Sequence, residues 1–564
     1  MTTPPTIAFG PASALLALIV SVALGPGCDD GAQTAVDTPH SGEFSSASAC
    51  GSCHTRQYTE WEGSMMRYGA ISPVFNAFEL TVEKQTNGHF APNGPAANFC
   101  NECHSPIGVY EDQIPGFVDA ASATPMRDHL SAIASDGVSC DYCHSVKGAD
   151  IEKSLLGDGI ANVSLDAVPS DIKYGPFGAP VDSTYHPPAT RSDFLRSPRF
   201  CGSCHDVRPP VDDAMTDAGF QRLENLFTEW EKSPYNDPAN PTTCQDCHMS
   251  LYPWQSPGTY PMGQAVSLGS AAVAPPARRV APHYFTGVSH ALVDYPGQDD
   301  ATLDQFGMPR GQKQRREAML QAACRLDLSA TPSTVSVAET EGLLPLQLTV
   351  TNVGAGHNVP AGFSQERQVW LEVTVTDAQG VIVYRSGHLT DRAHPETGEL
   401  APDGNLADED LQDEEVVIDL ATFQTASHSP GVDVDQRPFK NLGLVNFQNR
   451  FLALDEHGEL EPVHAAHIAD AIDNTRSLAP RTPRAIRYDI PLTLEAGANQ
   501  GIDSLMSPLQ VRVRLRYRTF PPLFLRTLAQ LEPSLVSEDT LDRNTIVDMA
   551  EAELTIVLED TPGL

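Results

Sequence analysis

The chain has 564 residues, of which 73 are acidic and 36 basic, and its formal net charge is −37. So negative a surface repels nucleic-acid phosphates, and no block of Lys or Arg interrupts it, which excludes a nucleic-acid-binding function. The hydrophobic content of 41% is enough for globular packing and too low for a protein with several membrane spans.

The N-terminus predicts an export signal. Ala12 to Leu24 form an apolar run that has the length of a signal-peptide core and is shorter than a membrane span. An uncleaved anchor is the alternative, because the run extends back to Ile7 with little interruption. The residues before Cys28 resemble a bacterial lipobox, although two positions depart from its pattern. We expect a signal peptide over residues 1–28, with lipidation at Cys28 as a candidate modification, and a flexible tether over residues 29–48.

Ten of the 12 cysteines fall in five Cys-x-x-Cys-His motifs. This is the attachment signature of c-type haem, because two thiols about one helical turn apart add to the two vinyl groups of one porphyrin and the following His binds the iron. From composition alone, about 0.01 copies of this motif are expected in the chain. Two other interpretations fit less well. A zinc ribbon uses such pairs two at a time, and five is an odd number. A redox disulfide occurs once in a domain and not five times. The sequence therefore predicts five c-type haems. The thioether cysteines are Cys50, Cys53, Cys100, Cys103, Cys140, Cys143, Cys201, Cys204, Cys244 and Cys247, and the proximal iron ligands are His54, His104, His144, His205 and His248.

The motifs define a pentahaem domain over residues 49–328. About 50 residues per haem are too few to give each cofactor its own apolar shell, so we expect the haems to pack together and to form the core. The segments whose periodicity predicts helices are Arg127–Ala134, Gly219–Lys232 and Gln312–Leu326.

A short internal repeat lies within this region. The residues Thr-Glu-Trp-Glu-x-Ser occur at 59–64 and again at 228–233. Trp61 and Trp230 are therefore candidates to pack on a porphyrin face or edge, and the alternative is an ordinary amphipathic helix that carries a Trp.

The character of the sequence changes after about Ala330, where period-two alternation predicts strands. We expect an immunoglobulin-like β-sandwich over residues 329–564, with a hairpin turn at 377–380 and a helical insert at 524–550 before the last strand. The fold class is thus α+β, a loop-rich and mainly helical multihaem domain followed by a sandwich. The predicted strands are Leu346–Asn352, Val369–Asp377, Val381–Ser386, Arg484–Leu494, Val511–Tyr517 and Glu553–Glu559.

Several segments carry a family resemblance. Phe200–Asp206 and Thr243–Met249, with Trp230 between them, resemble the haem region of hydroxylamine-oxidoreductase-like and cytochrome c-552/4-like multihaem proteins. Asn352–Gly362, followed by Arg367, resembles the β-domain that those cytochromes often carry. The resemblance implies the cofactor, the fold and haem attachment outside the cytoplasmic membrane. It leaves the reaction open, because these groups contain electron carriers as well as reductases and oxidases.

An iron that only relays electrons needs a sixth ligand, and the histidines outside the motifs exceed that demand. In related proteins the first motif is often followed by Trp-x-x-Ser-x-His, whose His is a distal ligand, and Met66 stands at that position here. We therefore expect His/Met ligation of one haem, by Met66 or Met65, with a core methionine as the alternative. His129 and His283 are favoured, and His357 alternatively reaches a haem propionate from the β-domain. The candidate distal ligands are Met66, His89, His129, His186, His283, His290 and His357.

Three further features have structural interpretations. Cys324 is expected to be a buried apolar residue of a helix, with a disulfide to Cys28 as the less favoured alternative. The acidic run at 403–415 predicts a solvated loop, and a calcium site there has weak support. His457, His464 and His467 are expected at the solvated surface.

Together these features predict an exported pentahaem c-type cytochrome of the periplasm or outer cell surface. Its expected role is electron transfer between other redox proteins or cytochromes, with any membrane attachment through the N-terminal lipid or anchor. No catalytic residue is singled out. The alternative is a multihaem oxidoreductase that acts on a small nitrogen or sulfur compound at one open haem. A third hypothesis makes the β-domain a docking module, in a homo-oligomer or filament.

Overall fold

The computed structural model describes residues 44–146, 148–149, 163–164, 172–177, 189–207, 224–266, 276–330, 334–336, 343–393, 400–406, 427–428, 444–455, 457–463, 470–473, 475–492 and 505–559. The predicted signal peptide and most of the predicted tether lie outside these residues, as do Cys28 and His186. None of the described helices is long and apolar enough to cross a membrane.

The N-terminal part consists of short helices joined by loops. Each Cys-x-x-Cys-His motif begins in or next to a helix of four to six residues, which brings its two cysteines to one side of a single turn. Polar caps and prolines delimit these helices, and Thr243 and Asp246 form a capping box on the last motif helix. The helices are α1 Ala47–Gly51, α2 Thr55–Glu62, α3 Met65–Tyr68, α4 Pro73–Thr86, α5 Asn101–His104, α6 Pro106–Tyr110, α7 Cys140–Ser145, α8 Pro198–Gly202, α9 Leu226–Glu231, α10 Cys244–His248 and α11 Gln312–Ala323.

Short two-stranded pairs and single 3₁₀ turns accompany these helices. The strands are β1 Gly148–Ala149, β2 Val163–Ser164, β3 Tyr174–Gly175, β4 Thr190–Arg191, β5 Met262–Gly263 and β6 Arg278–Arg279. The 3₁₀ turns are Gly69–Ile71, Met126–Asp128, Ala134–Asp136 and Phe194–Arg196, with one more at Ser364–Glu366.

The predicted helix Arg127–Ala134 is wrong. The chain there forms 3₁₀ turns at 126–128 and 134–136 with a loop between them. Ser131 N–H, which a helix would pair with the Arg127 carbonyl, donates instead to the side chain of Gln113 at 2.7 Å, and Arg127 N–H donates to the side chain of Asn76. Long-range hydrogen bonds thus replace the local ladder.

The predicted helix Gln312–Leu326 is correct up to Ala323. Strand β7 begins at Cys324 and pairs with a neighbouring strand from its first residue, so sheet pairing ends the helix. Cys324 is buried as predicted, but it lies in a strand and not in a helix. In the predicted helix Gly219–Lys232, the described helix α9 spans 226–231, and residues 219–223 lie outside the described part.

The C-terminal part is built from two larger sheets. One has the strand order β11-β10-β20-β21-β8, with β15 also paired to β10, and the other has the order β14-β19-β9-β7. The six strands predicted from period-two alternation are all present as β9, β10, β11, β19, β20 and β21. The strands are β7 Cys324–Ala330, β8 Thr334–Ser336, β9 Leu343–Asn352, β10 Gln368–Thr376, β11 Ile382–Ser386, β12 Leu389–Ala393, β13 Leu400–Leu406, β14 Ser427–His428, β15 Val445–Asn446, β16 Arg450–Leu454, β17 Leu460–Val463, β18 Ala471–Asp473, β19 Pro483–Pro491, β20 Leu509–Arg518 and β21 Val547–Glu559.

The helical insert is shorter than predicted. It consists of α12 Pro522–Leu531 and α13 Glu538–Asp542, and β21 begins at Val547 because that residue already pairs with Tyr517 of β20. Helix α12 packs on α4 through an apolar cluster that includes Leu80 and Leu525, and Lys84 forms an ion pair with Glu532 at 2.6 Å. The insert therefore joins the sheets to the motif-bearing helices.

The two parts are packed differently. Inward-facing residues of both large sheets form one continuous apolar cluster, with Trp370 fully buried and its indole N–H donating to the Gly387 carbonyl. Two other clusters lie wholly among the described motif-bearing helices and contain only three and five buried residues. Side-chain burial thus stabilises the two large C-terminal sheets, whereas fewer apolar side chains pack together among the described motif-bearing helices.

The apolar core of the two large C-terminal sheets leads to a prediction about stability. Leu348 of β9 is 1% exposed between the two neighbouring strands of its sheet, whereas Leu454 at the end of β16 is 55% exposed. Leu348→Ala should lower the free energy of unfolding by about 2–5 kcal/mol, because it removes buried surface and leaves a cavity. Leu454→Ala is the matched control and should be near neutral. Urea unfolding followed by far-ultraviolet circular dichroism measures both, and equal losses would contradict this packing.

Candidate functional site

The five motifs converge on one another. The thiol of Cys50 in the first motif hydrogen-bonds to that of Cys140 in the third. Cys103 of the second motif contacts Cys204 of the fourth in the same way. Motifs far apart in sequence are therefore neighbours in space.

The fourth motif lies at the centre of this arrangement. Its other cysteine, Cys201, hydrogen-bonds to Cys244 of the fifth motif. Cys204 also interacts electrostatically with Cys143 of the third motif. The fourth motif thus adjoins the second, third and fifth motifs, and the third adjoins the first.

The proximal histidines share one orientation. In each ring the Nδ1 atom faces an oxygen of the protein, which leaves Nε2 as the nitrogen that is able to bind a metal. A carbonyl oxygen only accepts, so Nδ1 carries the proton in the four rings that face a carbonyl. Metal-binding histidines are typically held in this way. The Nδ1 partners are Ala265 O at 2.7 Å for His54, Gly69 O at 3.4 Å for His104, Tyr174 O at 2.6 Å for His144, Glu224 Oε2 at 3.7 Å for His205 and Thr286 O at 2.6 Å for His248.

The environment keeps most of these rings neutral, which is the form that binds iron. Burial lowers the pKa of His104 to about 4 and also lowers the pKa values of His144 and His248. His205 differs, because the Glu224 carboxylate outweighs burial and raises its pKa. The ring orientation in all five motifs and the lowered pKa values of three of the rings fit a c-type haem.

His357 is positioned opposite the fifth motif. Its ring centroid lies 6.3 Å from that of His248, and the two ring planes are within 9° of parallel. Two metal–nitrogen bonds of about 2 Å, plus roughly 1 Å from each nitrogen to its ring centre, give a separation of about 6 Å across one iron. The Nδ1 of His357 faces the Asn358 carbonyl at 2.9 Å, so Nε2 is the nitrogen of this ring that is able to bind a metal. This spacing fits two axial ligands of one haem.

His283 adjoins the third motif. Burial lowers its pKa to about 3, and the next largest influence is His144. Its Nδ1 faces the Ala281 carbonyl at 3.0 Å, again leaving Nε2 free. His283 therefore has the orientation that a metal ligand requires, and both His144 of the third motif and His54 of the first motif influence it electrostatically.

The other candidate ligands lie in different surroundings. The Nε2 of His290 already contacts the Arg543 carbonyl at 2.8 Å. The Nε2 of His129 contacts the Thr124 hydroxyl at 2.7 Å, on a loop and not on the predicted helix. The ring of His89 lies against Phe90, and the backbone carbonyl of Met66 accepts from Val138 N–H. His186 is outside the described residues.

The two tryptophans of the repeat bind the backbone before a motif. The indole N–H of Trp61 donates to the Val138 carbonyl at 2.9 Å, and that of Trp230 donates to the Thr242 carbonyl at 2.8 Å. Each carbonyl belongs to the residue two positions before a motif cysteine, Cys140 or Cys244. The repeat thus orients the third and fifth motifs.

Sequence reasoning missed three carboxylates at this site. Glu224 faces His205, Glu60 accepts from His283 N–H at 2.8 Å, and Glu229 accepts from Asn358 N–H at 3.0 Å. The repeat contained a signal for Glu60 and Glu229, since both precede its Trp. Glu224 had no such signal, because only the fold brings it to its histidine.

The calcium alternative has no support in the described residues, where no group of three or more His, Cys, Asp or Glu side chains is arranged to hold a metal ion. Residues 403–406 belong to strand β13, and the rest of the acidic run lies outside the described part.

Comparison with known proteins agrees with this site. Residues 49–145, which contain the first three motifs, match the family model described as cytochrome c554 and c-prime. This stretch is a multihaem region of that family. A penta-heme cytochrome c552 from Thermochromatium tepidum is a structural match at 18% identity and a TM-score of 0.49, over 91% of this chain and 99% of that chain. No curated protein matches the chain.

Two buried carboxyls beside the second motif make stability depend on pH. Burial raises the pKa of Glu79 to about 7 and that of Glu83 to about 8, with the Glu79 charge contributing to the latter. Between the ordinary pKa and these values the folded state binds more protons than the unfolded state, so stability falls as pH rises from about 5 to about 8. The double variant Glu79→Gln, Glu83→Gln should lose part of this fall. The urea concentration at the midpoint of unfolding, compared at about pH 5 and about pH 8, measures this change in stability.

The matched control is Glu317→Gln, an exposed position on helix α11. It should retain the full fall in stability of the wild-type protein. A double variant that also retained the full fall would contradict the assignment of the two carboxyls.

Proposed function

We propose that this chain, whose residues 49–145 form a multihaem region of the cytochrome c554 and c-prime family, carries electrons through five covalently attached c-type haems. The observation that carries the proposal is the common orientation of the five proximal rings, each facing an oxygen through Nδ1. Ten cysteines would hold the porphyrins, and five histidines would bind the irons. A bound haem iron cycles between ferric and ferrous states and so carries one electron.

The contacts between motifs support a continuous route for electrons. Cysteines of neighbouring motifs touch, so porphyrins attached to them would meet at their edges. Electron tunnelling falls steeply with distance, and edge contact favours fast transfer. The route would run from the first motif to the third and fourth, with the second and fifth also joining at the fourth.

We assign two distal ligands. The spacing and parallel planes of His248 and His357 support axial ligation of the fifth haem by both rings. The proximity of His283 to His144 supports the same arrangement at the third haem. Paired imidazoles favour a six-coordinate iron, which suits electron transfer better than substrate binding. Met66, His89, His129, His186 and His290 stay predictions.

The C-terminal sheets are proposed to form an immunoglobulin-like sandwich. The parallel pairing of β8 with β21, the order of the other strands and the buried Trp370 support this topology. The loop after β9 carries His357 toward the fifth motif, and Tyr235 OH donates to the Val353 carbonyl of that loop at 2.9 Å. The sandwich would therefore complete a haem site and not act as a separate docking module.

We further propose that the protein works outside the cytoplasm, in the periplasm or at the outer cell surface. The apolar run at 12–24 and the cytochrome family of residues 49–145 support export. Its partners would be other redox proteins or cytochromes, and lipidation at Cys28 would attach it to a membrane.

Covalent attachment makes a prediction for haem content. The double variant Cys244→Ala, Cys247→Ala should lose one haem, because no other described cysteine is placed to attach the fifth haem. The control Cys324→Ala removes a buried cysteine of β7 that belongs to no motif, and it should retain all five. Intact mass and the pyridine haemochrome assay count the haems. An unchanged count in the double variant would contradict the attachment site.

Distal ligation makes a spectroscopic prediction. His357→Ala should convert one low-spin haem to high-spin and allow it to bind carbon monoxide when reduced, since the iron loses its sixth ligand. His457→Ala, at an exposed position of the sandwich, is the control and should match wild type. Low-temperature EPR and visible absorption measure both. A His357→Ala spectrum identical to wild type would refute this ligand assignment.

A further inference from the structure

The repeat at 59–64 and 228–233 is also a repeat of structure. In both copies an aromatic ring three residues before the Trp packs against the Gly of a Cys-Gly-Ser-Cys-His motif. A Cβ at Gly51 would lie 2.6 Å from Tyr58, and one at Gly202 would lie 2.5 Å from Phe227. The aromatic ring and the Trp are 5.9 Å apart in both copies. The first copy thus links the first motif with the third, and the second copy links the fourth motif with the fifth.

The second copy reaches the loop of His357. Glu229 of α9 accepts a hydrogen bond from Asn358 N–H at 3.0 Å, directly after that histidine. The loop also packs on the same helix and its C-terminal extension, since a Cβ at Gly356 would lie 3.3 Å from the Trp230 ring. The Glu229 carboxylate therefore holds the backbone directly after His357.

The first copy does the same for His283. Glu60 of α2 accepts a hydrogen bond from the backbone N–H of that histidine at 2.8 Å. Glu60 is 4% exposed, and it also pairs with Arg56 one helical turn earlier at 3.5 Å. Two carboxylates at equivalent repeat positions thus bind the backbone of two different segments, and each segment carries a candidate distal histidine.

Both carboxylates lie at least partly out of water, since Glu60 is buried and Glu229 is half-buried. Removing a carboxylate from water is unfavourable, and a hydrogen bond from backbone N–H offsets only part of the cost. The second Glu of each copy is placed differently: Glu231 is exposed, and Glu62 accepts from the Tyr58 hydroxyl. Only the first Glu of each copy meets a histidine-bearing loop.

We propose that Glu60 and Glu229 are positioning residues, which hold the loops of His283 and His357 so that each imidazole reaches its iron. The inference rests on the proposed distal ligation of the third and fifth haems. It implies that the two copies are equivalent modules, each comprising two neighbouring motifs, a Trp that orients the second motif and a Glu that fixes the distal ligand of that motif.

The test compares Glu60→Ala and Glu229→Ala in the full haem-loaded chain. Each variant should contain one more high-spin haem than wild type and bind one more carbon monoxide per chain when reduced, because the loop no longer holds its ligand. Glu60→Gln and Glu229→Gln should stay low-spin, since the amide oxygen still accepts from the backbone N–H. Low-temperature EPR and carbon monoxide titration are the readouts.

The controls are Glu62→Ala and Glu231→Ala, two residues further along each copy, and both should match wild type. Variants are compared at five haems per chain. Where an alanine variant contains fewer, Glu→Asp at that position replaces it, and its retracted carboxylate should give the same signal at smaller amplitude. Alanine or aspartate variants that stay fully low-spin would overturn the inference.

The ligand variants separate this inference from the proposed function. If His283→Ala and His357→Ala each open a haem while the Glu variants do not, the positioning role is wrong and the ligation stands. If neither His variant opens a haem, the ligand assignment itself is wrong, and the inference falls with it.

Discussion

The orientation of five imidazole rings is the constraint on which the rest of the structure depends. An iron ligand must present one nitrogen, and the chain fixes this by giving the other nitrogen an oxygen partner, a backbone carbonyl in four cases and Glu224 in the fifth. Each of these oxygens belongs to a segment outside the motif of its histidine, so the fold and not the motif alone sets the orientation of the ring.

The two parts of the chain are therefore stable for different reasons and still depend on each other. The sandwich buries a continuous apolar core of its own, whereas the motif-bearing helices pack few apolar side chains together. Helix α12 packs on α4, and the loop after β9 brings His357 to the fifth motif. The ligation proposed for His357 would therefore depend on how the C-terminal sheets hold this loop opposite His248.

Motif spacing and period-two alternation in the sequence predicted those features that neighbouring residues determine. The motif cysteines and histidines follow from spacing, and strands such as β10 and β20 follow from alternation, because one face of each is buried. The helix at 127–134 failed because Gln113 takes the backbone N–H of Ser131, and Cys324 lies in a strand because β9 pairs with it. Among the candidate ligands, only the fold distinguishes His357, which faces His248, from His290, whose Nε2 meets a carbonyl. The contacts of His357 and His290 join residues more than 100 positions apart, so no periodicity of the sequence predicts them.

We propose that the five haems act together as one store and route for electrons. Coulometric reduction of the purified full chain, followed by visible absorption, measures how many electrons they take up. Five electrons should enter each chain, all of them accompanied by the absorbance change of c-type haem. Uptake of clearly fewer than five electrons by a chain that carries five attached haems, or haems that cannot be reduced through their neighbours, would contradict it.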